Sequence, residues 1–285
     1  MAFRLSRRES PTAGARRLGD DELGAAIDRL RGDDGTPDQR VHAARKSIKR
    51  VRALLRLLRA STRKAAFTAA NVALRDAARG LSAARDAAVA VATFDLLAPE
   101  PDADLAVVRD DLVARTVDAD AVPDRATLAL AADALDALRP RLAGDLGALD
   151  EATLTAGLTD SYAGGRAAMR AARARPDDEA LHAWRKRAKD LWYQCQLLQG
   201  ICPPQLDALA QMLAELGELL GADHDLAVLQ AATPASHELH RRLAARHEEL
   251  RRAAWQLGRR TYAERPAAFV RRMRAYWRVW CDEAT

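Results

Sequence analysis

The segment Val41 to Leu58, VHAARKSIKRVRALLRLL, returns 140 positions later as Leu181 to Leu198, LHAWRKRAKDLWYQCQLL. His42, Ala43, Arg45, Lys46, Lys49, Leu57 and Leu58 recur as His182, Ala183, Arg185, Lys186, Lys189, Leu197 and Leu198. One fixed offset inside a 285-residue chain predicts two copies of one structural unit, a constraint that precedes any reading of local propensity. Lysine makes the match specific: of five lysines, set against 40 arginines, four are Lys46, Lys49, Lys186 and Lys189.

The repeated segments read as helices. At 100° per residue His42, Arg45, Lys46, Lys49, Arg52 and Arg56 share one face, and Val41, Ala44, Ile48, Val51, Leu55 and Leu58 take the other. In the second copy His182, Arg185, Lys186, Lys189, Tyr193 and Gln196 form the polar face against Leu181, Trp184, Ala188, Leu191, Cys195 and Leu198. The rest of the chain agrees. It is 49% hydrophobic but only 5% aromatic, rich in Ala, Leu and Arg, which lose little rotamer freedom in helices, and it has no alternating β-branched runs joined by hairpin turns. The expected class is all-α.

Punctuation orders the elements. A helix bearing Leu18, Leu23, Ile27 and Leu30 ends in the loop Gly32 to Pro37, and Pro37 and Asp38 open the first copy, which runs to about Ala60. Phe67 to Leu97 is expected to break near Gly80 and the Arg85-Asp86 pair, and Pro99 and Pro101 close it. Asp104 to Ala119 and Pro123 to about Leu149 follow. Thr153 to Ala174 begins the second half, Pro176, Asp177 and Asp178 open the second copy, and Leu206 to Leu220 leads through Gly221 into ADHDLAV, an echo of AARDAAV at an offset of 139. Pro234 ends that part, and closing helices at about Ser236 to Leu257 and Ala263 to Cys281 are expected to separate near Gly258. The domain reading is a tail at 1–10, a first half at 11–150 and a second at 151–285.

Charge is unevenly placed. From Arg40 to Lys64 every ionisable side chain except His42 is Arg or Lys, Asp102 to Glu151 is net acidic, and Arg241 to Arg278 is basic again. This points to an anionic partner, with mutual neutralisation of paired helices as the alternative. Cations at i, i+3, i+4 and i+7 repel one another, and a bound anion relieves that repulsion. The stripe from His42 to Arg56 is roughly 21 Å long at 1.5 Å per residue, enough for a linear polyanion. Lys supplies a compact charge, Arg a bidentate fork, and His a donor whose protonation near neutral pH a phosphate would favour. Cys195, Cys202 and Cys281 have neither CxxC spacing nor an even count, which fits a reducing compartment without a disulfide framework or zinc site. No secretory signal follows the basic MAFRLSRRES, and the longest uncharged apolar run, Ala87 to Phe94, falls far short of the ~20 residues a bilayer needs. A cytoplasmic protein is the expectation.

The pattern H-x-x-R-K-x-x-K at His42 to Lys49 and at His182 to Lys189, each after a Pro/Asp turn and each followed by Arg85-Asp86-x-x-Val89 or His224-Asp225-x-x-Val228, resembles the CHAD family, the conserved histidine α-helical domain. The resemblance covers about Ser10 to Asp282. It implies two pseudo-symmetric helical bundles whose basic faces line a central groove or pore, and it implies binding of inorganic polyphosphate. The expected binding is electrostatic, with no cofactor and no metal, and association with polyphosphate granules is the expectation that goes with it. Carried over by position, it assigns His42, Arg45, Lys49, Arg50 and Arg52 in the first copy and His182, Arg185, Lys186, Lys189 and Tyr193 in the second. Arg166, Arg170, Arg173, Arg271, Arg274 and Arg278 resemble accessory basic positions. Asp190 and Trp192 depart from the family pattern, so the second copy is expected to contribute less charge. Members often carry a triphosphate-processing domain marked by E-x-E-x-K, which this sequence lacks, so a standalone member is expected.

Two other function classes compete. Nucleic-acid binding uses the same charge, but the basic face of the first copy has no aromatic side chain for base stacking. A phosphate-processing enzyme needs acids beside the histidines, and neither repeated face has them. His224-Asp225 is expected to make a helix start or an interhelical contact, and His237, His240 and His247 a solvated surface. The expected protein is not an enzyme, with polyphosphate as partner, no membrane, and nucleic acid only through nonspecific charge.

Overall fold

The computed structural model describes residues 3–81, 85–118, 123–233 and 237–283, with side chains at 85–87, 116–118 and 237 not described. Pro234 lies outside this set. Eleven α-helices and one 3-10 turn make up the described chain: α1 (Pro11–Arg31), α2 (Pro37–Leu57), α3 (Lys64–Gly80), α4 (Arg85–Leu97), α5 (Ala103–Asp118), α6 (Arg125–Asp145), α7 (Glu151–Ala174), α8 (Asp178–Leu197), the turn Gln199–Ile201, α9 (Pro203–Ala232), α10 (His237–Thr261) and α11 (Pro266–Asp282). No strand occurs among the described residues.

Helix starts follow local chemistry. Thr36 caps α2 in a reciprocal capping box with Gln39, and Pro37 occupies the first turn, where no amide hydrogen is needed. Asp177 caps α8 by accepting from Ala180 N at 2.8 Å, so Pro176 stands just outside this helix and not in its first turn. Two expected interruptions do not occur. Helix α9 runs on through Gly221, and α10 runs on through Gly258, breaking only at 262–265. Both glycines serve close approach: a Cβ at Gly258 would stand 2.5 Å from Trp184 Cζ2, and one at Gly221 would stand 3.0 Å from Arg185 Nη2.

The apolar faces meet in two cores. The larger draws Leu18, Leu23 and Ile27 of α1, Ile48, Val51 and Leu55 of α2, Leu135 and Leu142 of α6, Trp184 and Leu191 of α8, and Leu213 of α9 into one cluster with α3, α7 and α11. Side chains of this size contribute about 1.5–3 kcal/mol each when fully buried. The smaller core joins Phe94 of α4, Leu105 and Leu112 of α5, Leu226 and Leu229 of α9, and Leu239, Leu243 and Leu250 of α10. Helix α9 therefore spans both cores. Phe3 and Leu5, in the segment expected as a tail, are buried, and Leu5 N donates to Leu197 O at 2.9 Å.

The acidic segment neutralises basic helices, as the alternative reading of the charge asymmetry allowed. Asp133 and Asp136 pair with Arg31, Asp145 with Arg63, and Glu151 with Arg274 and Arg278.

Candidate functional site

The two matching helices pack against each other. Fully buried Gln194 of α8 donates from Nε2 to Ala53 O of α2 at 3.2 Å, and Arg56 of α2 pairs with Asp190 of α8 at the same crossing. From this crossing the two polar faces run out to solvent.

On α2, His42, Lys46 and Lys49 are exposed, and Arg45, Arg52 and Arg56 are half-buried. Arg45 Nη1 donates to Ala78 O of α3 at 3.2 Å and Arg52 Nε to Asn71 Oδ1 at 3.4 Å. Burial lowers the Arg56 guanidinium to about 10, and the like charges of Arg52 and Arg187 act in the same direction. The stripe is thus shorter than expected at its C-terminal end, because Arg56 is already matched by Asp190. Arg50 turns aside: it donates to the buried Glu22 of α1 at 2.7 Å and lies over the Phe3 ring, 5.2 Å from its centroid.

On α8, Lys186 is exposed and His182, Arg185 and Lys189 are half-buried. Arg185 Nε donates to Gly217 O of α9 at 3.4 Å, the counterpart of the Arg45 contact with Ala78 O near the same sequence offset. Lys189 Nζ donates to Glu218 Oε1 at 2.9 Å and stands 4.6 Å from the Trp192 ring centroid. Burial, followed by the positive charges of Lys186, His224 and Arg185, pushes His182 down to about 4. In the absence of a bound anion, burial and the neighbouring cations therefore keep the imidazole neutral at pH 7. Its ring lies 4.9 Å from that of His224, and its buried Nδ1 has no hydrogen-bond partner among the described residues. Tyr193, expected on the polar face, is buried, and that burial raises its phenol to about 12.

The charges of both helices act on one carboxylate. The hydrogen bond from Lys189 chiefly holds Glu218 below the usual carboxylate range against partial burial, and Arg185 of α8 and Lys49 of α2 add to the effect. Sequence reasoning missed Glu218. Its signal was the spacing of Gly217 and Gly221 around it, which brings Lys189 and Arg185 close over the backbone of α9.

The accessory arginines divide. Arg166, Arg271 and Arg274 line a separate cleft between α7 and α11 with Arg265, Thr155 and Thr159. Arg274 and Arg278 share Glu151, and Arg170 and Arg173 are exposed on α7.

The remaining histidines correct one expectation. His247 is no solvated residue: it is buried, with Nδ1 2.6 Å from Asp223 Oδ1, and Arg251 Nε donates to the same oxygen at 2.8 Å. Asp223 makes this contact between α9 and α10, and its neighbour His224 makes the interhelical contact expected of the His224-Asp225 pair, against His182 of α8. The side chains of His237, Arg85 and Asp86 lie outside the described residues. Among the described residues no group of three or more His, Cys, Asp or Glu is placed to hold a metal ion, and no helix is long and apolar enough to cross a membrane.

Fold and site together define an all-helical protein that brings lysine, arginine and histidine from two matching helices to adjoining surfaces. The CHAD domain model matches residues 21–234, well over half of the sequence, and the chain belongs to the CHAD domain family. That match ends before α10 and α11, whereas the motif resemblance runs to Asp282. A comparison with curated proteins found no match.

Proposed function

We propose that this chain is a noncatalytic binder of inorganic polyphosphate, seated in a basic groove between α2 and α8. The observation that carries the reading is the pairing of Lys189 on α8 with Glu218, a carboxylate that the charges of Arg185 on α8 and Lys49 on α2 also hold below its usual range. A linear anion laid along that line meets His42, Arg45, Lys46, Lys49 and Arg52 on one side and His182, Arg185, Lys186 and Lys189 on the other. Lysine and arginine supply the charge and hydrogen bonds that phosphate oxygens need, so binding requires neither metal nor cofactor. Membership of the CHAD family, which is associated with polyphosphate binding, supports the same ligand.

We read the two halves, 11–150 and 151–285, as pseudo-symmetric copies of one helical unit. The matched contacts of Arg45 with Ala78 O and of Arg185 with Gly217 O support this. So does the correspondence of α3 and α4 with the single helix α9, since Lys64 and Pro203 begin at the offset of 139. A cytoplasmic site of action, where polyphosphate granules form, fits this ligand.

Retention on immobilised polyphosphate tests the reading. The logarithm of the affinity should fall linearly with the logarithm of salt concentration, with a slope of about −0.7 for each phosphate neutralised on a flexible single chain. Reversing Lys49 and Lys189 together to Glu should abolish retention, and unchanged retention would overturn the proposal. Nucleic acid is the rival ligand. Trp192, the aromatic ring beside Lys189, carries that lysine's ammonium over its face, 4.6 Å from the centroid, where a stacked base would lie. Displacement of polyphosphate by single-stranded nucleic acid at equal phosphate concentration would transfer the assignment to nucleic acid.

A further inference from the structure

Glu218 stands among the cations to which the polyphosphate reading assigns the ligand. Its side chain is 79% exposed on α9, yet its Oε1 accepts from Lys189 Nζ at 2.9 Å. The backbone beneath it is shaped for this contact. A Cβ at Gly217 would stand 2.5 Å from Lys189 Cε, so only glycine leaves the lysine its present path, and Arg185 Nε reaches Gly217 O at 3.4 Å from the same side. The position 139 residues earlier, in the first copy, is Arg79, of opposite charge. The acid is therefore an addition to the repeated pattern and not a part of it.

We propose that Glu218 is an internal competitor for the anion site: in the free protein its carboxylate takes the place at Lys189 that a phosphate oxygen takes in the complex, and it swings out when a chain is seated. This rests on the polyphosphate reading given above. An anion whose only strong contact is Lys189 exchanges one ion pair for another and gains little. A long chain loses the same increment but keeps its contacts with α2. Glu218 thereby weakens all anions by the same increment and sets a floor of contacts below which an anion is not held at a given concentration.

The test compares Glu218→Gln with the intact protein in binding to long-chain polyphosphate and, separately, to tripolyphosphate. Removing an exposed competing pair should tighten binding about two- to fivefold at low salt. The gain should shrink as salt screens the pair in the intact protein. Glu215→Gln is the control: it removes an equal charge from an exposed position one turn away on α9 and should change binding far less. In a Lys189→Ala background the gain from Glu218→Gln should vanish. No tightening, or an equal gain from Glu215→Gln, overturns the proposal. The two readings fail distinguishably: if reversing Lys49 and Lys189 abolishes binding while Glu218→Gln leaves it unchanged, only the competitor falls. If the charge reversal changes nothing, the polyphosphate assignment falls first. Unchanged thermal melting of Glu218→Gln would establish that the exposed site tolerates the change.

Discussion

Arg56 of α2 and Asp190 of α8 are ion-paired where the two matching helices cross, with both side chains largely withdrawn from solvent. The pair joins one copy of the repeated sequence to the other. It also consumes the last cation of the α2 stripe, so the same contact strengthens the junction and weakens the electrostatic surface. A buried charge survives at such a place because its partner comes with it.

Replacing Asp190 by Asn should therefore act with opposite signs on stability and binding. Losing the partner of a largely buried guanidinium should cost about 1–3 kcal/mol, below the full value for a completely buried pair because Arg56 keeps some solvent contact. The midpoint of urea unfolding should fall, while polyphosphate retention should hold or increase as Arg56 becomes available to the ligand. A variant that is equally stable, or one that loses retention in proportion to its stability, would contradict this account.

His182 links stability to pH. Its folded-state pKa of about 4 lies below the ~6.5 of an unperturbed histidine, so in acid the unfolded chain binds the proton first. Stability from this residue is fully present above pH ~6.5 and is lost as pH falls from there toward 4. His182→Gln should flatten that part of the curve of melting temperature against pH. Bound phosphate favours the imidazolium, so polyphosphate binding near pH 5.5 should take up protons, visible as a dependence of binding enthalpy on buffer ionisation enthalpy. The absence of both effects would remove His182 from the site.

The helix content and order were legible because 3.6-residue periodicity, proline and capping residues act locally. The cationic faces of Val41 to Leu58 and Leu181 to Leu198 were legible for the same reason. What stayed hidden depends on which helix lies opposite. Gly221 and Gly258 looked like breaks, but they make room for Arg185 and Trp184. Arg50 looked like a ligand cation, but it faces Glu22, and Tyr193 was placed on an open face but is buried. Spacing along one helix cannot show a partner that belongs to another.

Two of the glycines should accordingly fail in different ways. At Gly217 an added Cβ meets the flexible end of Lys189, at 2.5 Å from Cε, which can move aside. Gly217→Ala should keep the fold, helped by the higher helix propensity of alanine, and lose part of its polyphosphate affinity as Lys189 shifts. At Gly258 the Cβ meets the rigid, fully buried ring of Trp184 at 2.5 Å. Gly258→Ala should lose about 1–3 kcal/mol from overpacking, measured by urea unfolding. Equal effects of the two substitutions on stability would refute the distinction.

Asp223 ties α10 to α9 from within. Burial alone would raise its carboxyl, but hydrogen bonds from His247 and Arg251 together hold it below its usual value. Arg251 also donates to Pro176 O at 3.2 Å, so the clamp reaches the turn that precedes α8. The folded carboxyl protonates less readily than the unfolded one. The clamp's contribution is therefore present above the ordinary carboxylate pKa and is lost as pH falls through the lowered folded value. Asp223→Asn leaves Arg251 and His247 facing a neutral amide and should cost about 3 kcal/mol. Because Asp223 and Arg251 share one network, a cycle with Arg251→Ala should return a coupling of about 0.5–3 kcal/mol, the double variant being less destabilised than the sum of the single ones. Additive losses would mean that the two residues act separately, and that the smaller apolar core alone fixes α10 against α9.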